Sequence, residues 1–251
     1  MHPDAVQRVL GVLLMVFSVT MLPPGLVGTV AADGVGGAFF LTFGLLLAAG
    51  ALLWLPVRRS RRELRIRDGF FVVAMFWVVL GAAGSLPLVI QDAAPFAFVD
   101  ALFESVSGLT TTGATVLTGI DTLPLSILYY RQQLQWLGGM GIIVLAVAIL
   151  PMLGIGGMQL YRAELPGPVK DAKLTPRIAE TAKALWYIYL GLTVVCALAY
   201  WVAGMGAFDA VMHAFTTIAT GGFSTHDASM GHFDSALIEM IAVVFMVISA
   251  L

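Results

Sequence analysis

The chain has 251 residues, of which 59% are hydrophobic and 11% are charged, and its formal net charge is -2. Soluble domains average about 25% charged residues, so this composition excludes a soluble globular domain and predicts a protein of the lipid bilayer. The small net charge gives no support to a nucleic-acid partner. The single cysteine, Cys196, rules out a disulfide framework, and its apolar neighbours predict a buried, unreactive thiol.

Two apolar runs, at 6–27 and 36–55, open the chain. Each is close to the ~20 residues that a helix needs to cross a bilayer, so residues 1–57 are predicted to form an N-terminal transmembrane hairpin. A signal peptide is the alternative for the first run, because Arg8 precedes an apolar stretch. No convincing cleavage site precedes the second run, and this favours a retained span.

The basic residues predict the orientation of the chain in the membrane. Residues 58–67 contain six arginines, a pattern that could bind nucleic acid but that between apolar runs is typical of a cytoplasmic loop. We therefore assign the loop 58–68 to the inner side, together with a linker over 152–178. Twelve of the 13 lysines and arginines then lie on the inner side, and Arg131 is the exception.

Four further spans are predicted at 70–90, 123–150, 186–203 and 235–251. The outer segments between them, 91–122 and 207–234, contain no lysine or arginine. The last apolar run ends without a basic flank or an interfacial aromatic residue, which predicts that the chain is cut short there.

A shift of 109 residues aligns the chain with itself. Thr111 falls on Thr220 and Gly113 falls on Gly222, while Asp100 falls on Asp209. The sequence therefore predicts two helix–pore loop–helix repeats, over 69–151 and 179–251, that run in the same direction. Parallel repeats argue against a transporter that rocks about a site between inverted repeats.

The outer loops of both repeats are rich in threonine and glycine. Backbone carbonyls and hydroxyls supply uncharged oxygen, which can replace the hydration shell of a weakly hydrated monovalent cation. Glycine permits positive φ and a close approach by another chain or an ion. Asp100 and Asp209 are predicted to cap short helices over 100–108 and 209–217, whose carboxyl ends would favour a cation. Irregular backbone at membrane depth implies a pore or cavity.

Five motifs resemble those of the Trk/Ktr/HKT superfamily of potassium uptake proteins, closest to its bacterial members. They are Leu109-Thr-Thr-Thr-Gly-Ala-Thr115, Leu134-Gln-Trp-Leu-Gly-Gly-Met-Gly-Ile-Ile143, Leu160-Tyr-Arg-Ala-Glu-Leu-Pro-Gly-Pro168, Arg177-Ile-Ala-Glu-Thr-Ala182 and Thr220-Gly-Gly-Phe-Ser-Thr-His-Asp-Ala228. In that family a helical hairpin precedes four repeats that surround one pore. The resemblance thus implies an all-α membrane protein that holds the hairpin and half of a four-repeat, K⁺-channel-like pore.

The resemblance also implies a function and its residues. It implies K⁺ uptake across the bacterial inner membrane, a TrkA-like cytosolic nucleotide-binding regulator on the inner face, and a homodimer embedded in membrane lipid. It places the family among potassium symport systems, and leaves open coupling to protons or sodium against a channel mechanism. The K⁺ site that it implies is a filter of backbone carbonyls at Thr111, Thr112, Gly113, Thr220, Gly221 and Gly222.

Other residues have structural interpretations. Arg131 is predicted to pair with a carboxylate such as that of Glu104, with tuning of cations at the outer mouth as the alternative. The glycines at 138, 139 and 141 are predicted to let helices pack closely. The histidines, including His213, His226 and His232, lack metal-ligand spacing, and surface or capping roles are expected for them.

Three other classes of protein are alternatives to this interpretation. A membrane enzyme would need an acid, base or metal constellation, and the sequence shows none. A secondary transporter with inverted repeats conflicts with the parallel repeat. A non-conducting structural fragment remains the alternative, because two of four repeats cannot close a filter.

Overall fold

The computed structural model describes residues 3–59, 66–93, 96–144 and 174–251. The basic segment at 60–65 and most of the predicted inner linker therefore lie outside the described residues. Within these ranges the chain is helical, as predicted. Its α-helices in chain order are α1 Pro3–Val19, α2 Leu22–Ala31, α3 Gly36–Val57, α4 Ile66–Ile90, α5 Phe98–Leu109, α6 Leu125–Val144, α7 Leu174–Val202, α8 Ala207–Ile218 and α9 Ala236–Ala250.

Four segments of the described chain are long and apolar enough to cross a membrane: Pro3–Ala31, Gly36–Val57, Phe70–Ile90 and Lys183–Val202. They correspond to the first, second, third and fifth predicted spans. Helix α9 is a shorter apolar helix, and α6 carries Arg131 among several glutamines. Many large apolar side chains on α3, α7 and α9 are exposed, as expected for surfaces that face lipid or other protein segments.

The first predicted span is a broken helix, and it is longer than the sequence indicated. Helix α1 ends at Val19, and α2 restarts with Pro23 and Pro24 in its first turn, where the missing N–H groups are tolerated. Helix α2 continues to Ala31 rather than ending near residue 27. The first turn of α2 explains the break, because proline cannot continue the hydrogen bonding of α1.

Glycines bring α1 and α3 into direct backbone contact. A Cβ on Gly11 would lie 2.8 Å from the carbonyl oxygen of Gly50, and a Cβ on Gly50 would lie 2.7 Å from that of Gly11. Small residues are common where helices pack closely in lipid, since close approach increases van der Waals contact between backbones. The hairpin of α1 and α3 is therefore held by glycine packing as well as by apolar side chains.

Helix α6 lies between the two halves of the described chain. It packs against α2 and α5 on one side, and against α7 and α8 on the other. One buried apolar cluster gathers α1, α3, α4, α5 and α6, and a second gathers α7, α8 and α9 around Trp136 and Met140 of α6. Polar side chains on α6 therefore lie close to both short helices.

The aspartates that were predicted to cap α5 and α8 do not cap them. The N-cap residues are Ala97 and Gly206, without side-chain cap hydrogen bonds, and Asp100 and Asp209 lie within the first turn of each helix. Each helix begins two residues earlier than predicted, because the apolar residues before the aspartates join it. The aspartates still place negative charge at the positive end of the helix.

Candidate functional site

Helices α5 and α8 have the same length of 12 residues and end in the same backbone geometry. Thr111 N–H bonds to Gly108 O at 3.0 Å and Thr112 N–H to Ser107 O at 2.9 Å. The residues 109 positions later make the same pair, at 3.1 Å for Thr220 to Thr217 and 2.8 Å for Gly221 to Thr216. This is the Schellman arrangement, which normally places glycine at its left-handed position.

Threonine occupies the left-handed position in both repeats. Thr111 has φ 54° and Thr220 has φ 50°. A β-branched residue is rare in this region, and such a conformation costs about 1–3 kcal/mol unless its surroundings hold it. The sequence predicted positive φ only at the glycines, so this pair of strained threonines was not foreseen. Their recurrence at equivalent positions indicates that the turn geometry itself is required.

The predicted glycines adopt positive φ and bring the two turns together. Gly113 has φ 73° and Gly222 has φ 93°. A Cβ on Gly113 would overlap the carbonyl oxygen of Gly221, and a Cβ on Gly222 would lie 3.9 Å from the Cα of Gly113. The backbones of the two turns are therefore in direct contact at Gly113. Only glycine permits this approach, because any other residue would place a Cβ there.

All six residues of the predicted site lie in these two turns. Thr111 and Thr220 line one cavity of about 320 Å³, together with Gly139 of α6. The Thr112 hydroxyl lies 2.8 Å from that of Thr110 on an exposed face. Within the described chain, no hydrogen bond is accepted by the main-chain carbonyls of Thr111, Thr112, Gly113, Thr220, Gly221 and Gly222.

A buried ion pair supports the first turn. Arg131 Nε donates to Glu104 Oε2 at 3.1 Å, and both side chains are almost completely buried. Glu104 Oε1 accepts from the Thr115 hydroxyl at 2.6 Å and from Val116 N–H at 2.9 Å. The predicted pairing of Arg131 is thereby confirmed. Removal of either partner would leave an uncompensated buried charge, which typically costs about 3–5 kcal/mol.

The same arginine reaches the second turn. Arg131 Nη1 donates to the carbonyl oxygen of Ser224 at 3.2 Å, and its guanidinium carbon lies 4.4 Å from the centre of the Phe223 ring. Arginine suits this position because its planar fork can donate in several directions and also stack on an aromatic face. One side chain of α6 thus positions backbone in both repeats.

Gln135, one helical turn after Arg131, supports the second turn. Its Oε1 accepts from Phe223 N–H at 3.1 Å and from the Thr216 hydroxyl at 2.5 Å. The Thr216 oxygen in turn accepts from Gly222 N–H at 2.9 Å. This role has no signal in the sequence, because the 109-residue shift places Val244 opposite Gln135.

His213 takes the place of Glu104 in the second repeat, and it is buried rather than at the surface as expected. Its Nδ1 lies 2.9 Å from the carbonyl oxygen of Asp209, which can only accept, so this nitrogen carries the proton. Its Nε2 then accepts from the Ser224 hydroxyl at 2.9 Å. A neutral histidine–serine hydrogen bond thus replaces the glutamate–threonine hydrogen bond of the first repeat. The 109-residue shift pairs these residues and could have predicted the contact.

His226 links the second turn to the loop that follows the first. Its Nδ1 lies 2.6 Å from Asp121 Oδ1, and Asp227 N–H donates to Asp121 Oδ2 at 3.3 Å. The hydrogen bond from His226 lowers the pKa of Asp121 below its ordinary value, and the bond from the Asp227 backbone acts in the same direction. Asp121 is therefore ionised at neutral pH and available as an acceptor.

The arrangement suits a weakly hydrated cation better than a reaction. The nearest carboxylate of the first repeat, Glu104, is neutralised by Arg131, and the surfaces of both turns present threonine hydroxyls and free carbonyls. Neutral oxygens can replace the water around a monovalent ion and still bind the ion weakly enough for it to dissociate. The one hydroxyl–imidazole pair described above, Ser224 with His213, is buried and supports the second turn.

Known proteins resemble this chain over almost its whole length. A family model described as TrkH, a cation transport protein, matches residues 36–251. The Trk system potassium uptake protein TrkH of Vibrio parahaemolyticus is 65% identical over 98% of this chain and 51% of its own length. TrkG of Escherichia coli K12, a potassium uptake protein of the Trk system, is 45% identical over 99% of this chain and 51% of its own.

A crystal structure of the potassium transporter TrkH from Vibrio parahaemolyticus has the same fold, with a TM-score of 0.89 and 58% identity over all of this chain and 50% of that one. The chain therefore spans about half the length of the curated relatives it matches. These relatives are named as transport proteins, which confirms both the predicted resemblance and the prediction that the chain is not an enzyme. With the apolar helices described above, these findings identify a multi-pass membrane protein, and the chain belongs to the TrkH family of cation transport proteins.

Proposed function

We propose that this chain contributes two of the four turns of a potassium filter, in a protein that takes up K⁺ across the bacterial inner membrane. The observation that carries the proposal is the meeting of two equivalent turns whose six carbonyls accept no hydrogen bond within the described residues. An oxygen of this kind can bind a dehydrated cation without first losing a protein partner. The Trk names of the relatives support K⁺ as that cation.

The filter in this proposal consists of backbone carbonyls, with the side chains behind them acting as supports. Arg131 and Gln135 fix the second turn, and Glu104 fixes the first through Thr115 and Val116. Rigid support matters because the carbonyls must stay in position to replace the hydration shell of K⁺. The strained threonines at the helix ends aim the chain from each helix into its turn.

The proposed arrangement in the membrane follows the charge pattern. Residues 1–57 form the hairpin, and 69–151 and 179–251 form two helix–pore loop–helix repeats with their turns at equal depth. The basic loop 58–68 and the linker 152–178 face the cytosol, where a TrkA-like nucleotide-binding regulator would dock. A homodimer in lipid, which the family resemblance implies, completes the proposed assembly.

Rubidium uptake tests the function. Two proteins are expressed in a bacterial strain that lacks its own potassium uptake systems. One is the 251-residue chain, and the other is the chain extended to the length of the relatives. We expect the extended protein to take up Rb⁺ and to restore growth at low K⁺. An extended protein that reaches the membrane but takes up no Rb⁺ contradicts the proposal.

The same experiment decides the alternative, a non-conducting structural fragment. This alternative is favoured by the coverage of only about half of each relative, since two turns leave a ring of four incomplete. We expect the 251-residue chain alone to conduct no Rb⁺. Uptake by the short chain, with membrane levels matched by immunoblot, would show that the described turns form a pathway by self-association.

A further inference from the structure

Two histidines and an aspartate that are far apart in sequence meet beside the second turn. Asp121 lies in the 3₁₀ turn Ile120–Thr122, His226 follows Gly222 by four residues, and His232 lies in the 3₁₀ turn Ser229–Phe233. One ring nitrogen of each histidine and one carboxylate oxygen of the aspartate lie within 4.8 Å of one another. The spacing of the histidines in the sequence does not predict a metal site, but the fold brings these side chains together.

The two imidazole rings are stacked face to face. Their centroids are 3.5 Å apart and their planes differ by 2°. Neutral imidazole is the form of histidine that binds metals. Nε2 of His226 is buried and makes no hydrogen bond within the described chain, although Asp209 Oδ1 lies 3.4 Å away without hydrogen-bond geometry.

We propose that Asp121, His226 and His232 form a binding site for a divalent transition-metal ion of the zinc class on the outer face of the protein. Two imidazole nitrogens and a carboxylate oxygen are a donor set that such ions prefer over Ca²⁺ or Mg²⁺, which take oxygen ligands. Bond lengths of about 2.0–2.1 Å at a tetrahedral ion place its ligands about 3.3 Å apart. Asp121 and His232 are exposed, and coordination requires the His232 ring to turn out of its stack with His226, because imidazole lone pairs lie in the ring plane.

The position of the site gives it a consequence that depends on the proposed filter function. Asp121 belongs to the loop after the first turn, while His226 and His232 belong to the loop after the second. A bound ion would join these loops directly outside the turns, and it would add positive charge where cations enter. We therefore expect external Zn²⁺ to slow K⁺ entry.

Calorimetric titration of the purified full chain with zinc sulfate tests binding without any transport assay. We expect one saturable Zn²⁺ site per chain. His232→Phe keeps an aromatic ring against His226 but removes a ligand, and Asp121→Asn keeps the shape of the acceptor but removes its charge. Each should weaken Zn²⁺ binding by at least about tenfold, since even changes behind metal ligands cost 10- to 100-fold.

Asp234→Asn is the matched control, because Asp234 is exposed on the same loop, lies outside the cluster, and has a left-handed backbone that asparagine accepts. Its affinity for Zn²⁺ should stay within about twofold of that of the original chain, as expected for a residue that supplies no ligand. The proposal is overturned if the original chain shows no saturable Zn²⁺ binding, or if the ligand variants bind as tightly as the control.

Rubidium uptake by the extended protein, with and without external Zn²⁺, tests the consequence. We expect Zn²⁺ to slow uptake by the original protein and by Asp234→Asn, and to leave uptake by His232→Phe unchanged. Zn²⁺ binding without any effect on uptake would overturn the link to permeation and leave the metal site standing. Absence of uptake without Zn²⁺ would contradict the filter function, independently of the calorimetric result.

Discussion

At the scale of single residues, backbone geometry matters more at this site than side-chain chemistry. Gly113 is the position with the least freedom, because its φ is 73° and a Cβ there would overlap the carbonyl oxygen of Gly221. Thr112 contributes a hydroxyl that points to Thr110 on an exposed face. The two residues are adjacent, so they allow backbone and side-chain contributions to be separated by matched substitutions.

We expect Gly113→Ser to weaken the selectivity for K⁺ over Na⁺ in the extended protein, and Thr112→Ser to have a much smaller effect. The added Cβ costs about 1–2 kcal/mol at positive φ and also displaces the neighbouring carbonyl. Competition of Na⁺ with Rb⁺ uptake, at matched expression, measures selectivity. The reverse order, with Thr112→Ser the more damaging change, would identify side-chain hydroxyls as the ligands.

At the scale of elements, α6 is held against the short helix α5 by a glycine. A Cβ on Gly138 would overlap the carbonyl oxygen of Leu109, at the last residue of α5. Gly139 is similarly close to Ala219, whose Cβ would lie 3.1 Å from a new Cβ. The predicted packing role is therefore confirmed for these two glycines. Among the described residues, a Cβ on Gly141 would meet only the Phe76 ring, at 3.9 Å, so no close packing is seen there.

Gly138→Ala and Gly141→Ala form a matched pair of helix substitutions. Alanine is the better helix former by about 1 kcal/mol, so both would be neutral or stabilising if only propensity mattered. We expect Gly138→Ala to lower the thermal unfolding temperature of the purified protein and Gly141→Ala to preserve it. Equal unfolding temperatures for the two variants would contradict the close approach of α5 and α6.

At the scale of the whole molecule, the two repeats are joined by contacts that could not be predicted from the sequence pattern. Arg131 and Gln135 of α6 position the second turn, and Asp121 binds the His226 ring across the loops. The outer loops therefore form one connected layer on the side of the turns. Residues 60–65, most of the basic segment from which the orientation was predicted, lie outside the described residues, so the side of the membrane on which it lies stays a prediction.

Cysteine labelling in intact cells tests this orientation. We expect Ser60→Cys to resist a membrane-impermeant thiol reagent and Asp234→Cys, on the opposite side, to react. The background is low because Cys196, the one native cysteine, is buried. Permeabilised cells provide the control, since both sites should then react. Labelling of residue 60 from outside intact cells would reverse the proposed topology.

The sequence by itself determined the bilayer environment, the all-α class, the 109-residue repeat and the glycines with positive φ. Each of these follows from local composition or from spacing. The length of an apolar run predicts a transmembrane helix, and glycine is the residue that adopts positive φ without strain. The Glu104–Arg131 pair was also foreseen, since a charge inside an apolar span needs a partner.

Tertiary structure alone decided which groups meet between the repeats. Local propensity does not predict the left-handed threonines, the support from Gln135 or the gathering of Asp121 with His226 and His232. The predicted helix caps failed for a related reason, because apolar packing extended each helix beyond its aspartate. Contacts between residues about 100 positions apart depend on how helices pack, and packing is a property of the assembled chain.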